Sequence, residues 1–251
     1  MVTFTGDVQA LFSHPAHHHG LKLVVDADKL FQCDGCRQLG NQLRYRCEQC
    51  DFDLHASCAH APALKEHPMF EGRVFALLDR STYASGFGLC DVCYDPLHGF
   101  HYHNSEHKID LHPSCAILPE RIVVGGRVLE LQKADGHNCG LCGKTGLRSR
   151  GWAYRFQDDD GELVHLHVAC MMEAQYSTDD DVVQGSSTAT GEVSDRRLVN
   201  APTTGSLAMV QYAPSRRRSK FKLFCKVAFR VAMFSHSVAT LNPMGVVASF
   251  T

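Results

Sequence analysis

Excess charge, long apolar runs and the signature loops of common enzyme classes are all missing from this sequence. Lys and Arg number 25 against 27 Asp and Glu, for a net charge of −2. No global field therefore draws the chain to nucleic acid, and none is expected as a partner. No run of 18 apolar residues occurs, which removes a membrane-spanning helix from consideration. The opening stretch MVTFTGDVQALFSHP lacks the charged-then-apolar design of a secretory signal. Its thiols are then expected in the cytoplasm, with the nucleus or a peripheral membrane position as alternatives, and not in a secreted protein. There is no Gly-rich phosphate loop, no Gly-x-Ser-x-Gly elbow and no His-Glu-x-x-His. No catalytic residue is assigned, and the chain is expected not to be an enzyme.

Cysteine and histidine are abundant, at 12 and 16 in 251 residues. The densest stretch is Cys33-x2-Cys36, followed by Cys47-x2-Cys50-x4-His55-x2-Cys58. A Cys-x2-Cys turn sets two sulfurs on one side of a tight knuckle, and His-x2-Cys adds an imidazole and a thiolate. Structural Zn²⁺ takes four such ligands in a tetrahedron. Six ligands call for two more to close a second site. The interleaved arrangement puts Cys33, Cys36, His55 and Cys58 on one ion and an upstream His, Cys47, Cys50 and His67 on the other. Among His14, His17, His18 and His19, the preferred upstream ligand is His19 and the second choice is His17. Paired disulfides are the bland alternative, but they do not require His at metal spacing.

The pattern repeats. Cys90-x2-Cys93 and His112-x2-Cys115 follow their counterparts by 57 residues, and 18 residues separate the second Cys from the His in both copies. A looser third copy pairs Cys139-x2-Cys142 with His167-x2-Cys170 across 24 residues. In the second copy Asn104 and His107 stand where Cys47 and Cys50 stood. In the third the corresponding stretch RFQDDDGEL has no thiol. The count is about four Zn²⁺ ions, with His103 and His107 read as surface histidines before a fifth. Modules of ~50 residues bury too little core to fold alone. Zinc would supply much of their folding free energy, ~10–16 kcal/mol per site in zinc-finger peptides.

The words His19-Gly-Leu-Lys-Leu, Phe31-Gln-Cys-Asp-Gly-Cys36, Tyr45-Arg-Cys-Glu-Gln-Cys50 and Asp51-Phe-Asp-Leu-His-Ala-Ser-Cys-Ala59 resemble the divergent cysteine/histidine-rich zinc-finger domains abundant in plants. Those domains are relatives of the diacylglycerol- and phorbol-ester-binding domain of protein kinase C. The resemblance spans about residues 13–175, close in the first copy, partial in the second and degraded in the third. It implies small antiparallel β-sheets with a short helix, stapled by interleaved zinc sites. It says little about molecular function. The stretch RQLGNQLRYR between Cys36 and Cys47 is shorter than in lipid-binding relatives and carries three arginines. Diacylglycerol is therefore disfavoured.

The expected fold class is a tandem repeat of zinc-stapled α+β modules at 13–67, 68–118 and 119–176, a disordered linker at 177–215, and a basic amphipathic helix with tail at 216–251. GLKLVV, LRYRC, GRVFALL, HGFHYH, RIVVGGRVLELQ and GWAYRF read as strands. Phe31, Leu54, Val74, Phe75, Leu111 and Leu166 are expected in the core, with Trp152 beside the third knuckle. In the tail, Phe221, Phe224, Val227, Ala228, Val231 and Phe234 form an apolar stripe, with Lys222, Lys226 and Arg230 on one face. This suggests binding through 216–234 to an anionic membrane surface or a partner's groove, with Cys225 open to palmitoylation. Docking on the chain's own modules is the alternative. The expected role is a non-enzymatic, zinc-dependent interaction and signalling protein with a protein partner. A thiol–disulfide redox protein is the rival, since Cys-x2-Cys is also a redox motif.

Overall fold

The computed structural model describes residues 11–79, 88–176, 221–230 and 233. The expected linker at 177–215 and most of the tail lie outside the described residues.

The first sheet comprises β1 (Phe12–His14), β2 (His17–Gln32), β3 (Leu39–Cys47) and β4 (Asp53–His55), antiparallel in that order. The second contains β5 (Leu64–Glu66) and β6 (Val74–Leu78). A two-stranded hairpin, β7 (Gly88–Leu89) and β8 (Pro96–Leu97), frames its knuckle, and β9 (His101–Asn104) and β10 (Ile109–Leu111) complete it. The third is β11 (Arg121–Val124), β12 (Arg127–Lys133), β13 (Trp152–Gln157) and β14 (Leu163–His167). All three are four-stranded meanders with a Cys-x2-Cys knuckle between the second and third strands. A helical turn after the fourth strand carries the last cysteine: α1 (Ala56–Ala59), a 3-10 turn at Cys115–Ile117, and α2 (Val168–Ala174).

Two details differ from the reading of the sequence. The run 121–132 is a hairpin rather than one strand, because Gly125 and Gly126 both take positive φ, 56° and 75°. That conformation suits a two-residue turn matched to strand twist. Val74 is 45% exposed instead of buried, because alternation along β6 gives the core to Phe75. Phe31, Leu54, Leu111 and Leu166 are buried as expected.

The modules are hooked together by a repeated device. The backbone N–H of Phe100 donates to the carbonyl of Gly35 in the first knuckle at 2.9 Å, and that of Trp152 to Val92 in the second at 2.7 Å. The residue before each donor is a glycine, and no other residue fits. A Cβ on Gly99 would lie 2.0 Å from the Gly35 oxygen, and one on Gly151 2.4 Å from that of Val92. A tyrosine on the same strand completes the hook. Tyr102 donates to the Pro62 carbonyl at 2.9 Å and Tyr154 to that of Pro119 at 2.7 Å. Pro62 and Pro119 are themselves 57 residues apart. Trp152 thus packs between modules, 5.3 Å from Phe70, rather than beside the third knuckle. The third module also returns to the first, where Tyr176 donates its hydroxyl proton to the Leu39 carbonyl at 2.7 Å.

Residues 221–230 are helical. Cys225, Ala228 and Phe229 are buried in the core shared by the second and third modules, with Phe221 and Phe224 packed against it. Phe224 lies 5.5 Å from Phe156 and under the Arg127 guanidinium. The buried stripe is therefore Phe221, Phe224, Cys225, Ala228 and Phe229. Val227 is exposed and Cys225 is fully buried, so the alternative reading of a docked helix describes 221–230. Val231 and Phe234 lie outside the described residues.

Candidate metal centres

Each knuckle is built by the same backbone bonds. Arg37 N–H donates to the Cys33 carbonyl, Tyr94 to Cys90 and Gly143 to Cys139. Arg37 and Tyr94 pay for this turn with positive φ, 63° and 65°. The fourth strand then brings in the histidine. Asp34 N–H donates to the Asp53 carbonyl, Asp91 to Asp110, and Gly140 to His165. In the first two copies the aspartate closes a second bond, its carboxylate accepting the Asp53 amide at 2.9 Å or the Asp110 amide at 2.7 Å. Gly140 has no side chain for this. The amides of His55, His112 and His167 each donate to the first cysteine sulfur of their knuckle at 3.4 Å.

Four groups of ligand atoms result, each within 4.8 Å of one another. Three are Cys33–Cys36–His55–Cys58, Cys90–Cys93–His112–Cys115 and Cys139–Cys142–His167–Cys170. The fourth is His17–His19–Cys47–Cys50. The separations suit a tetrahedral ion. Zinc–ligand bonds of ~2.0–2.3 Å imply roughly 3.3–3.8 Å between donors at tetrahedral angles. His55 Nδ1 is 3.3 Å from Cys36 Sγ and 3.9 Å from Cys58 Sγ. His112 Nδ1 is 3.3 Å from Cys93 Sγ. His167 Nδ1 is 3.8 Å from both Cys142 and Cys170. In the fourth group, Cys47 and Cys50 sulfurs are 3.4 Å apart, His19 Nδ1 is 3.2 Å from Cys50, and His17 Nε2 is 3.3 Å from it.

Surrounding bonds orient the imidazoles. Nε2 of His55 donates to the Leu39 carbonyl and Nε2 of His112 to that of Pro96, both at 3.1 Å. That bond leaves Nδ1 unprotonated and aimed at the sulfurs. His167 Nε2 is buried without a partner among the described residues. Electrostatics also favour a cation. Burial works against ionisation of Cys33 and Cys90, yet hydrogen bonds from their sister thiols hold both well below the usual thiol range. Cys139 is held down to about 3, chiefly by its bond from Cys170. Burial opposes protonation of His55, and the neighbouring Cys36 and Cys33 sulfurs overcome it, raising the ring well above its ordinary value. The same hydrogen bonds push the sister thiols Cys58, Cys115 and Cys170 up, so one sulfur in each of these groups is the readily ionised one, and the donor set and its spacing fit Zn²⁺.

One expected ligand is elsewhere. His67 is buried in the second module, where Nδ1 accepts the Met69 amide at 3.2 Å and the ring meets Phe70 edge-on. Burial, with Lys65 nearby, lowers its pKa to about 4. The reason is that Leu64–Glu66 already pairs with β6, carrying the chain away from the first sheet. His17 takes the place instead, two residues before His19 and so on the same face of β2. The signal was present in the sequence as His-x-His on a strand. In the second module, Asn104 fills the position of Cys47 with hydrogen bonds. It donates to the Val74 carbonyl and accepts the His107 amide, each at 2.8 Å. His103 bonds Asp110 at 2.8 Å.

Residues 13–59 match the C1 domain family. The chain is also 38% identical over 50 residues to "Probable nucleoredoxin 1" of Arabidopsis thaliana, a stretch that covers 20% of this chain and 9% of that relative. No solved structure matches. The chain is thus a zinc-binding module protein whose first module is a C1-type cysteine/histidine-rich relative. Among the described residues no helix is long and apolar enough to cross a membrane.

Proposed function

We propose that this chain is a non-enzymatic interaction and signalling scaffold of the divergent cysteine/histidine-rich kind found in plants. On this reading zinc fixes three β-modules as one surface for a protein partner. The observation that carries the reading is closure: each group presents four protein ligands. A catalytic zinc keeps a position open for water or substrate. When bound, the ion contributes cross-linking free energy. The chain's own residues orient the imidazoles of His55 and His112 and bury nine of the eleven ligand sulfurs.

Two features argue against diacylglycerol binding. The stretch 39–47 is one continuous strand paired to β2, with no free apolar loop. Its Arg44 and Arg46 are engaged by Asp53, and Arg37 by Asp34. Binding of 216–234 to an anionic membrane would demand release of Phe224 from Phe156. Reduced thiols suit the cytoplasm or nucleus.

A redox role is the second reading, favoured by the name of the nucleoredoxin relative. Thiol titration of the purified, zinc-loaded chain separates the two. On the scaffold reading, cysteines of all four groups resist alkylation until a chelator is added, and a disulfide-bonded peptide stays oxidised. Rapid alkylation of several Cys-x2-Cys pairs in the loaded chain, with reduction of the peptide, would decide for redox chemistry.

A further inference from the structure

We propose that His17, His19, Cys47 and Cys50 form an exchangeable site for a borderline-soft divalent ion, zinc foremost, that fills and empties while the fold stays intact. This rests on reading the four groups as zinc sites, and it assigns one of them a different duty.

The chain carries its own comparison. The second module builds the same four-stranded meander with Asn104 and His107 at the corresponding place. There Asn104 bonds the Val74 carbonyl and the His107 amide. The third builds it with no thiol in that stretch at all. An ion at this corner is therefore not a condition for the sheet. In contrast, the Cys-Cys-His-Cys group recurs in all three modules, its first sulfur accepting the amide of its own histidine each time, whereas Cys47 of the fourth group accepts the amide of Gln49 in the adjoining turn.

Access and support point the same way. Cys50 is exposed and His17 and His19 are half-buried, whereas all four members of the Cys90 group are buried. Water and a competing ligand can reach the first and not the second. His55 and His112 are oriented by carbonyls. Among the described residues no such bond holds the second nitrogen of His17 or His19, and His17 is steadied by ring contacts alone, with Phe52 stacked at 4.1 Å and His18 and His19 beside it. Missing support of this kind costs about 10–100-fold in metal affinity. The third group shares part of this weakness, since Cys142 is exposed and His167 Nε2 lacks a partner. Its histidine and other two sulfurs are nevertheless buried beside the shared core, so emptying it would strand thiols there. At the fourth group a single buried thiol, Cys47, is left, and emptying frees the tie between the start of β2 and the turn before β4.

Stepwise chelation of the full zinc-loaded chain tests this. Release would be read with a colorimetric zinc dye, and structure by far-ultraviolet circular dichroism and amide exchange. One ion in four should leave at a chelator concentration about 10-fold or more below the rest. Dichroism should be unchanged at that step, with exchange rising only near residues 12–20 and 47–53. The double variant His17→Ala/His19→Ala should lose that first step and keep the other three, while Cys142→Ser should retain it. With Co²⁺ in place of zinc, the first equivalent lost should carry the charge-transfer intensity of two thiolates rather than three. Release of all four ions together with the dichroism, or a first step abolished by Cys142→Ser and not by the histidine pair, would overturn the proposal. A full chain that neither contains nor takes up zinc would overturn the underlying zinc reading as well.

Discussion

The first module keeps a core of its own, ten buried residues between Leu21 and Ala59, and holds two metal groups. The second and third modules share one larger core, extended by Cys225, Ala228 and Phe229 of the tail, and hold one group each. The number of ligand groups and the size of the core vary in opposite directions along the repeat. In the second module Asn104 and its hydrogen bonds stand where a second group would be, and in the third that stretch has no thiol. The first module alone keeps a second ligand group, at the exposed corner between β2 and the turn before β4. The buried charges follow the same gradient. Asp53 in the first module is engaged by Arg44 and Arg46, and its counterpart Asp110 by His103. In the third, His165 stands at that position, stacked on His137 at 4.2 Å.

Breaking one closed site in each region should give the largest effects and the sharpest contrast. Cys115→Ser and Cys58→Ser should each lose a zinc, removing on the order of 10 kcal/mol of metal-coupled folding, comparable to the stability of a whole domain. Cys115→Ser should abolish amide protection across β5 to β14 together, because those strands share a core. Cys58→Ser should confine the loss to β2–β4. Loss of protection throughout the chain in both variants would erase the distinction between the two regions.

A smaller effect is expected at the hook between them. Gly99→Ala puts a Cβ on the Gly35 oxygen and should cost ~1–3 kcal/mol or more. The first module should then melt separately from the other two, with four zinc ions still bound, as calorimetry would resolve. At the far end, Phe224→Asp should undock 221–230 and lower the stability of the third module by about 2 kcal/mol. A variant with an unchanged melting midpoint that only loses sedimentation with anionic vesicles would mean that the tail serves the membrane and not the core. The smallest effect is expected for His103→Ala, which deletes one hydrogen bond to Asp110, worth ~1 kcal/mol, and should leave the zinc content unchanged.

The local chemistry was legible in the sequence because metal ligation is encoded by short spacings. Cys-x2-Cys and His-x2-Cys fixed three groups, since a knuckle and a strand end are local structures. Long-range placement was not legible. His67 lies nine residues past Cys58, but a strand pairing that begins at Leu64 sends it into another module. The tail stripe was read as Phe221, Phe224, Val227, Ala228, Val231 and Phe234, of which Phe221, Phe224 and Ala228 pack on the core and Val227 is exposed. The helix also buries Cys225 and Phe229, because the docking partner and not the helix alone chooses the face. Gly99 and Gly151 carried no signal as isolated glycines. Their meaning appears only when the carbonyls of Gly35 and Val92 are beside them. The repeated aspartates of CDGC and CDVC were visible as words, but their bonds to the Asp53 and Asp110 amides required the fold.

The most direct test of the account is zinc quantification of the purified full chain combined with X-ray absorption at the zinc edge. Four zinc ions per chain are predicted, surrounded by eleven sulfurs and five nitrogens in total, at ~2.3 and ~2.0–2.1 Å, with no water oxygen in the shell. Fewer than two ions per chain, an oxygen in the coordination shell, or sulfurs paired as disulfides would contradict it.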